Sequence, residues 1–149
     1  MTNNTPIPVT AAGGVLFRMV TGEPEVLLIK TRGDWELPKG KRELESVPAC
    51  AVREVAEEVG IPIPMIVSFL METEHHYPYK GNTVKKITHW YLMSEQEGSN
   101  QFTPQKEEGI EEVRWERIER AMDEVAFSNL REVLVKANLL LKTKKVRHV

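Results

Sequence analysis

The sequence predicts an α/β fold in which a sheet carries helices on both faces. Three observations predict it. Glu25 to Lys30, EVLLIK, is a nearly continuous apolar run, as expected of a strand buried on both sides. Val52, Val55 and Val59 recur at helical spacing in a stretch opened by Ser46 and closed by Gly60 and Pro62. Leu130, Val133, Leu134, Ala137, Leu140 and Leu141 form a second amphipathic pattern, from about Ser128 to Lys142. Strands and helices mixed in this order pack as a sheet between helical layers.

Taken in order, residues 1–8 carry two prolines among Asn and Thr and read as a loose lead-in. Val9 to Val20 is strand-like. Gly13 and Gly14 in its middle point to a bulge or a close approach of ligand or backbone. Thr21 to Pro24 is a turn, and the EVLLIK strand completes a hairpin. Gly33 to Gly40, GDWELPKG, reads as a shaped loop because of its Pro and Gly residues. The first helix follows, with Ser46 as its cap and Pro48 in its first turn. Ile66 to Glu74 and Thr83 to Ser94 are strands. The stretch from His75 interrupts them, and Gly81-Asn82 makes the turn. Residues 95–109 are a polar loop and Val113 to Trp115 a short strand. The closing helix is capped by Ser128 or Asn129, and 143–149 is a basic tail.

The chain is expected to be one domain spanning 1–149, long enough to bury an ordinary core. A hydrophobic content of 41% excludes a disordered chain. A net charge of −2 argues against nucleic acid held on a basic surface. The single Cys50 excludes an intramolecular disulfide and fits a reducing compartment; its place in the helix suggests packing. No apolar run reaches the length of a membrane span, and the N-terminus lacks a signal-peptide pattern. A cytoplasmic protein without membrane contact is therefore expected, its oligomeric state unspecified.

The chemistry concentrates on the first helix. At roughly 100° per residue, Glu54, Glu57 and Glu58 fall on one side, away from the valines. Glu-rich faces are commonly just solvated, and like charges at this spacing repel. A hard divalent cation would remove the conflict, since Mg²⁺ takes oxygen ligands and leaves positions for water and phosphate. Arg53, one turn before Glu57, can hold that carboxylate in place.

The string Gly40, Glu45, then Arg53-Glu54-Val55-Ala56-Glu57-Glu58-Val59-Gly60-Ile61 resembles the signature of the Nudix hydrolases. The second half matches that pattern at every specified position. The first half departs from it: four residues rather than five separate Gly40 from Glu45, and the usual Gly before that Glu is missing. The WxLPKG run before the helix is similar too. The resemblance implies an α/β/α sandwich around a mixed β-sheet. It also implies hydrolysis of a phosphoanhydride in a nucleoside diphosphate linked to another group, with Mg²⁺ as cofactor, or Mn²⁺. By the family pattern, Glu54, Glu57 and Glu58 hold metal, Gly40 adds a carbonyl, and Arg53 orients the carboxylates. Glu45 supports Arg53 or an outer metal. The general base is a helix glutamate, or one of Glu107, Glu108, Glu111 and Glu112 in the later loop.

Specificity must come from elsewhere. Trp35, Tyr77, Tyr79 and Trp90 can stack on a base, though aromatic residues are more often packing. Lys39, Lys80, Lys85 and Lys86 can meet distal phosphates, but adjacent strand residues point to opposite faces, so Lys85 and Lys86 cannot both do so from one face. His75 and His76 are poor ligands for an oxygen-seeking cation. The segment most resembles the Nudix subgroup acting on dinucleoside polyphosphates and, in some members, diphosphoinositol polyphosphates. A dinucleoside polyphosphate is thus the leading substrate. The alternatives are a damaged nucleoside triphosphate, a 5′ pyrophosphate on RNA, or a nucleotide bound without catalysis.

Overall fold

A computed structural model describes residues 5–96 and 101–143. Its strands are β1 (Ile7–Val20), β2 (Glu23–Thr31), β3 (Asp34–Glu36), β4 (Lys39–Lys41), β5 (Met65–Tyr79), β6 (Asn82–Ser94) and β7 (Ile110–Arg117). The helices are α1 (Val47–Val59), α2 (Ile118–Glu124) and α3 (Ser128–Leu141). The sheet runs β3-β2-β1-β6-β5, with β4 also paired to β1 and β7 to β2. β1 and β6 are parallel and the other pairs antiparallel, so the sheet is mixed.

Period-two alternation sorts the core into two layers. Ala12, Leu16, Leu27, Ile29, Tyr91 and Met93 pack with Cys50, Ala51, Val55 and Val59 of α1. The alternate residues Val15, Phe17, Val26, Leu28, Trp90 and Leu92 pack with α2 and α3 through Ile118, Ala121, Leu130, Val133, Leu134 and Ala137. This is the expected α/β/α sandwich. Val52, the third valine of the stripe, is half-buried against the α1 layer.

Two neighbouring strands splay to create the site. β1 and β2 pair only from Phe17↔Val26 to Val20↔Glu23. Beyond that they part, and each open edge takes a short strand. β3 pairs with Ile29–Thr31, and β4 with Ala11–Gly13. The 33–40 stretch is therefore two strands flanking Leu37-Pro38, not the irregular loop expected. Gly13 and Gly14 make no bulge, because the ladder to β6 runs unbroken through them. They permit close backbone approach: Gly14 N–H donates to the Pro38 carbonyl (3.1 Å), and a Cβ on Gly13 would strike that same carbonyl.

Other boundaries move for long-range reasons. The lead-in ends at residue 6, because Ile7 and Pro8 join the ladder to β6. β5 continues through His75 to Tyr79, where the sequence suggested an interruption. Pro78 is tolerated because β5 is an edge strand. The hairpin turn is Lys80-Gly81, one residue earlier than expected. Both have positive φ, as a two-residue turn matching strand twist requires. The expected short strand lengthens to Ile110–Arg117, and α2 is an unexpected helix. α3 begins at Ser128 with Phe127 at the cap position and no side-chain cap, so neither Ser128 nor Asn129 caps it. Of the basic tail, 144–149 lies outside the described residues. No helix among the described residues is long and apolar enough to cross a membrane.

α1 is closed firmly at both ends. Ser46 Oγ accepts from Ala49 N–H (3.3 Å), and Pro48 occupies the first turn. At the other end Gly60 sits in the left-handed region at φ 71, and Ile61 N–H reaches back to the Ala56 carbonyl (3.1 Å). The 101–105 segment then docks on this end: Thr103 N–H bonds the Val59 carbonyl and Gln105 N–H the Glu58 carbonyl. A Cβ on Gly60 would collide with the Thr103 backbone. Gly60→Ala should thus combine left-handed strain with a backbone clash and cost roughly 2 kcal/mol or more. Urea unfolding measures it, and a loss below about 0.5 kcal/mol would contradict this account of the helix end.

Candidate active site

The outer face of α1 is organised by one guanidinium. Arg53 Nε lies 2.5 Å from Glu45 Oε2. Its Nη1 lies 2.9 Å from Glu54, 3.3 Å from Glu57 and 3.2 Å from Glu43. Its Nη2 donates to the Lys41 carbonyl (3.3 Å). The short loop before α1 turns Glu45 toward Arg53 by folding on itself. Glu43 N–H donates to Glu45 Oε1 (2.7 Å), and Arg42 Nε donates to the Glu45 carbonyl (2.7 Å). The missing residue is thus absorbed in the loop. Glu43 was not singled out in the sequence; nothing in its spacing distinguishes it from a solvated loop acid.

β4 runs beneath this face. Gly40 permits a close approach: a Cβ there would strike the Glu54 carboxylate. Its carbonyl accepts a weak bond from the buried Cys50 thiol (3.7 Å). Lys39 N–H donates to Glu58 Oε1 (3.1 Å). The three helix carboxylates have different surroundings. Burial pushes the Glu54 carboxyl up, and Arg53 opposes the shift. Burial pushes Glu58 up to about 8, opposed by the Lys39 N–H and charge and reinforced by Glu54 and Glu108. Glu57 is about half-exposed. Glu108, in a single 3₁₀ turn at Lys106–Glu108, is the later-loop acid whose field reaches both Glu54 and Glu58. Glu111 is engaged by Gly33 N–H (2.8 Å).

Among the described residues, no three His, Cys, Asp or Glu side chains already form a metal cage. Glu54 and Glu57 lean on Arg53, while Glu58 turns to Lys39. The donor chemistry nevertheless fits a hard divalent cation. It offers carboxylate oxygens on one helix face above a side-chain-free Gly40, and a Glu58 whose burial-raised carboxyl a bound cation would help to ionise.

On the opposite face of the sheet lies a pocket of about 230 Å³ lined by Glu36, Lys39, Thr73, His75, Lys86, Thr88, Trp90, Phe127, Asn129 and Leu130. Lys39 and Lys86 come together here. Burial and the charges of Lys39 and Lys41 push the Lys86 ammonium down, and Glu36 opposes this. Tyr77 flanks the pocket, stacked on His75 (5.6 Å) with Lys86 5.8 Å from its ring centre. Lys85 is not brought to the pocket: it faces the other side and pairs with Glu74 (3.7 Å). His76 also pairs with Glu74 (2.6 Å). Trp90 is buried, its Nε1 donating to Thr73 Oγ1 (2.8 Å), and Trp35 lies beneath the Arg114 guanidinium. Tyr79 is exposed against Lys80. Sequence reasoning missed Thr73, Thr88, Phe127 and Asn129. The register Thr73↔Thr88 could have paired the two threonines, but α3's approach to the sheet has no local signal.

The NUDIX domain model matches residues 8–136. No curated protein matches the sequence. Among solved structures, a C. elegans Ap4A hydrolase binary complex is similar, with TM-score 0.67 and 22% identity, over 89% of this chain and 97% of that one. The E. coli dihydroneopterin triphosphate pyrophosphohydrolase has TM-score 0.70 and 18% identity, over 87% and 95%. The NUDIX domain of Shewanella oneidensis NrtR complexed with ADP ribose has TM-score 0.65 and 18% identity, over 93% and 90%. At these identities the likeness concerns the fold.

The raised Glu58 carboxyl has a thermodynamic consequence without metal. Its folded pKa of about 8 exceeds the ordinary 4.5, so the folded state holds this proton more tightly than the unfolded chain. The stability from the neutral acid is complete below about pH 4.5 and lost as pH rises through 8. In chelator, Glu58→Gln should gain on the wild type across that window, by on the order of 4–5 kcal/mol at pH 8.5. Denaturant unfolding at pH 5 and 8.5 measures it; a pH-independent difference would contradict the burial argument.

Proposed function

The chain belongs to the NUDIX family and is accordingly a pyrophosphohydrolase acting on acid anhydrides, and from that premise we propose that it cleaves dinucleoside polyphosphates in the cytoplasm with a divalent cation. One observation supports this reading above the others. Lys39 bonds Glu58 of the carboxylate face through its backbone and lines the pocket through its side chain, together with Lys86. A phosphate chain running from the carboxylate face into the pocket would pass along Lys39. A substrate with several phosphates uses both lysines; a sugar-linked diphosphate has fewer charges to meet them.

In this reading Glu54, Glu57 and Glu58, with the Gly40 carbonyl, hold Mg²⁺ or Mn²⁺. When bound, the cation neutralises phosphate oxygens and lowers the pKa of a water. The rest belongs to the chain. Arg53 fixes Glu54 and Glu57 in direction, and Glu45 and Glu43 fix Arg53. A helix glutamate that is not fully taken up by the cation can serve as general base. Glu108 is the other candidate, by its nearness to the same carboxylates. Tyr77 and His75 offer ring faces to a nucleobase at the pocket mouth. Asn129, with an amide able to read a base edge, favours a second reading, a modified nucleoside triphosphate as substrate.

Diadenosine tetraphosphate, ADP-ribose and an oxidised nucleoside triphosphate should be compared by kcat/KM in Mg²⁺. The tetraphosphate is expected to be best, EDTA to abolish turnover, and Mg²⁺ or Mn²⁺ to restore it. Lys86→Ala should lower kcat/KM at least tenfold and Lys85→Ala less than about threefold, since only Lys86 lines the pocket. Preference for ADP-ribose, or an ineffective Lys86→Ala, would defeat the polyphosphate assignment. Undiminished turnover in EDTA would defeat the metal requirement.

A further inference from the structure

The pocket has two walls that come from distant parts of the chain. Glu36 and Lys39 belong to the β3–β4 segment, and Phe127, Asn129 and Leu130 to the junction of α2 with α3. Behind the pocket these walls meet at Trp35. Its backbone bridges Val125, and Ala126 N–H donates to the Trp35 carbonyl (3.1 Å). The hydrogen-bonded pair adjoins both walls: Trp35 precedes Glu36, and Ala126 precedes Phe127.

Arg114 of β7 holds the junction without lining the pocket. Its guanidinium carbon sits 4.3 Å from the centre of the Trp35 ring. Its Nη2 pairs with Glu124, the last residue of α2, and lies 3.1 Å from Glu116 Oε2. One planar cation thus grips the side chain of one wall's root and the helix end leading into the other. Arg131 ties α3 to α2 through the Met122 carbonyl (3.0 Å) and Asp123 (3.1 Å), but it makes no link to β3.

The cluster is a poor arrangement for stability alone. Arg114 Nε is buried without a hydrogen-bond partner among the described residues, and the carboxyls of Glu124 and Glu116 crowd together beside it, burial and Glu116 pushing the Glu124 carboxyl up. Atoms left so are costly, and an apolar side chain of similar length would avoid that cost. What an apolar residue would not supply is the fixed geometry of a stacked, ion-paired guanidinium.

We infer that Arg114 is a positioning residue for the nucleotide pocket: stacked on Trp35 and paired with Glu124, it fixes the separation of the two walls. The inference rests on the pocket being the substrate site proposed above. It concerns binding rather than the chemical step, because α1 and its carboxylates pack on the other face of the sheet.

The test is Arg114→Met, Trp35→Ala and their double variant, read by two independent measurements. In kinetics with diadenosine tetraphosphate, each single variant should raise KM at least fivefold and leave kcat within about twofold. The double variant should be no worse than either single, and Trp35→Phe should stay near wild type. In amide hydrogen exchange, the Ala126 amide should exchange at least tenfold faster in each single variant, while the α1 amides keep their protection. Unchanged KM, a parallel loss of kcat with faster exchange throughout, or additive single effects would overturn the assignment. If the wild type turns over no nucleotide, the proposed function fails and exchange alone decides the clamp. Faster exchange confined to the Ala126 region supports it, and unchanged exchange overturns it. If Arg114→Met does not fold, Trp35→Ala carries the same two measurements.

Discussion

Four carboxylates around one guanidinium are the constraint from which the site follows. Glu43, Glu45, Glu54 and Glu57 all lie within ion-pair distance of Arg53. A single positive charge cannot balance four negative ones, so the cluster keeps a surplus of negative potential beside the buried Glu58 carboxyl. Exposed pairs of this kind add little to stability. Their consequence is geometric. The guanidinium fork presents fixed donor directions, and those directions aim the carboxylates of α1 and of the preceding loop at one place. In the proposed function, this surplus is what would draw a divalent cation.

The sheet separates this acidic face from the pocket. α1 lies on one side; the lysines, threonines and Trp90 of the pocket lie on the other. β4 connects the two, because its three residues sit in the gap left where β1 and β2 part. Gly40 lets the helix carboxylate settle on the strand, and Lys39 reaches both sides. An acidic face alone would repel a polyphosphate. A basic pocket alone would bind one without cleaving it. In the proposed function, their junction at two consecutive residues would allow both.

What could be read in advance was whatever depends on neighbours in sequence. α1 announced itself through Ser46, the valine spacing and Gly60, all local, and its carboxylates follow from helical geometry. The EVLLIK strand was equally plain. β3 and β4 were not, because they form only where two splayed strands offer open edges, a long-range event. α2 is a seven-residue helix, too short to show a period. Strand alternation said that Lys85 and Lys86 must face opposite ways, but only the packing of α3 decides which faces the pocket. Glu43 and Arg114 carry no spacing signal; each matters through partners that the fold brings together.

The most direct measurement of the central claim is kcat for Arg53→Met at saturating substrate and Mg²⁺, with circular dichroism confirming the fold. If Arg53 aims the carboxylates that do the chemistry, kcat should fall by about two orders of magnitude or more, on the order of 3 kcal/mol of transition-state stabilisation, with KM changed less than about threefold. A folded Arg53→Met protein with kcat within about twofold of wild type would contradict it.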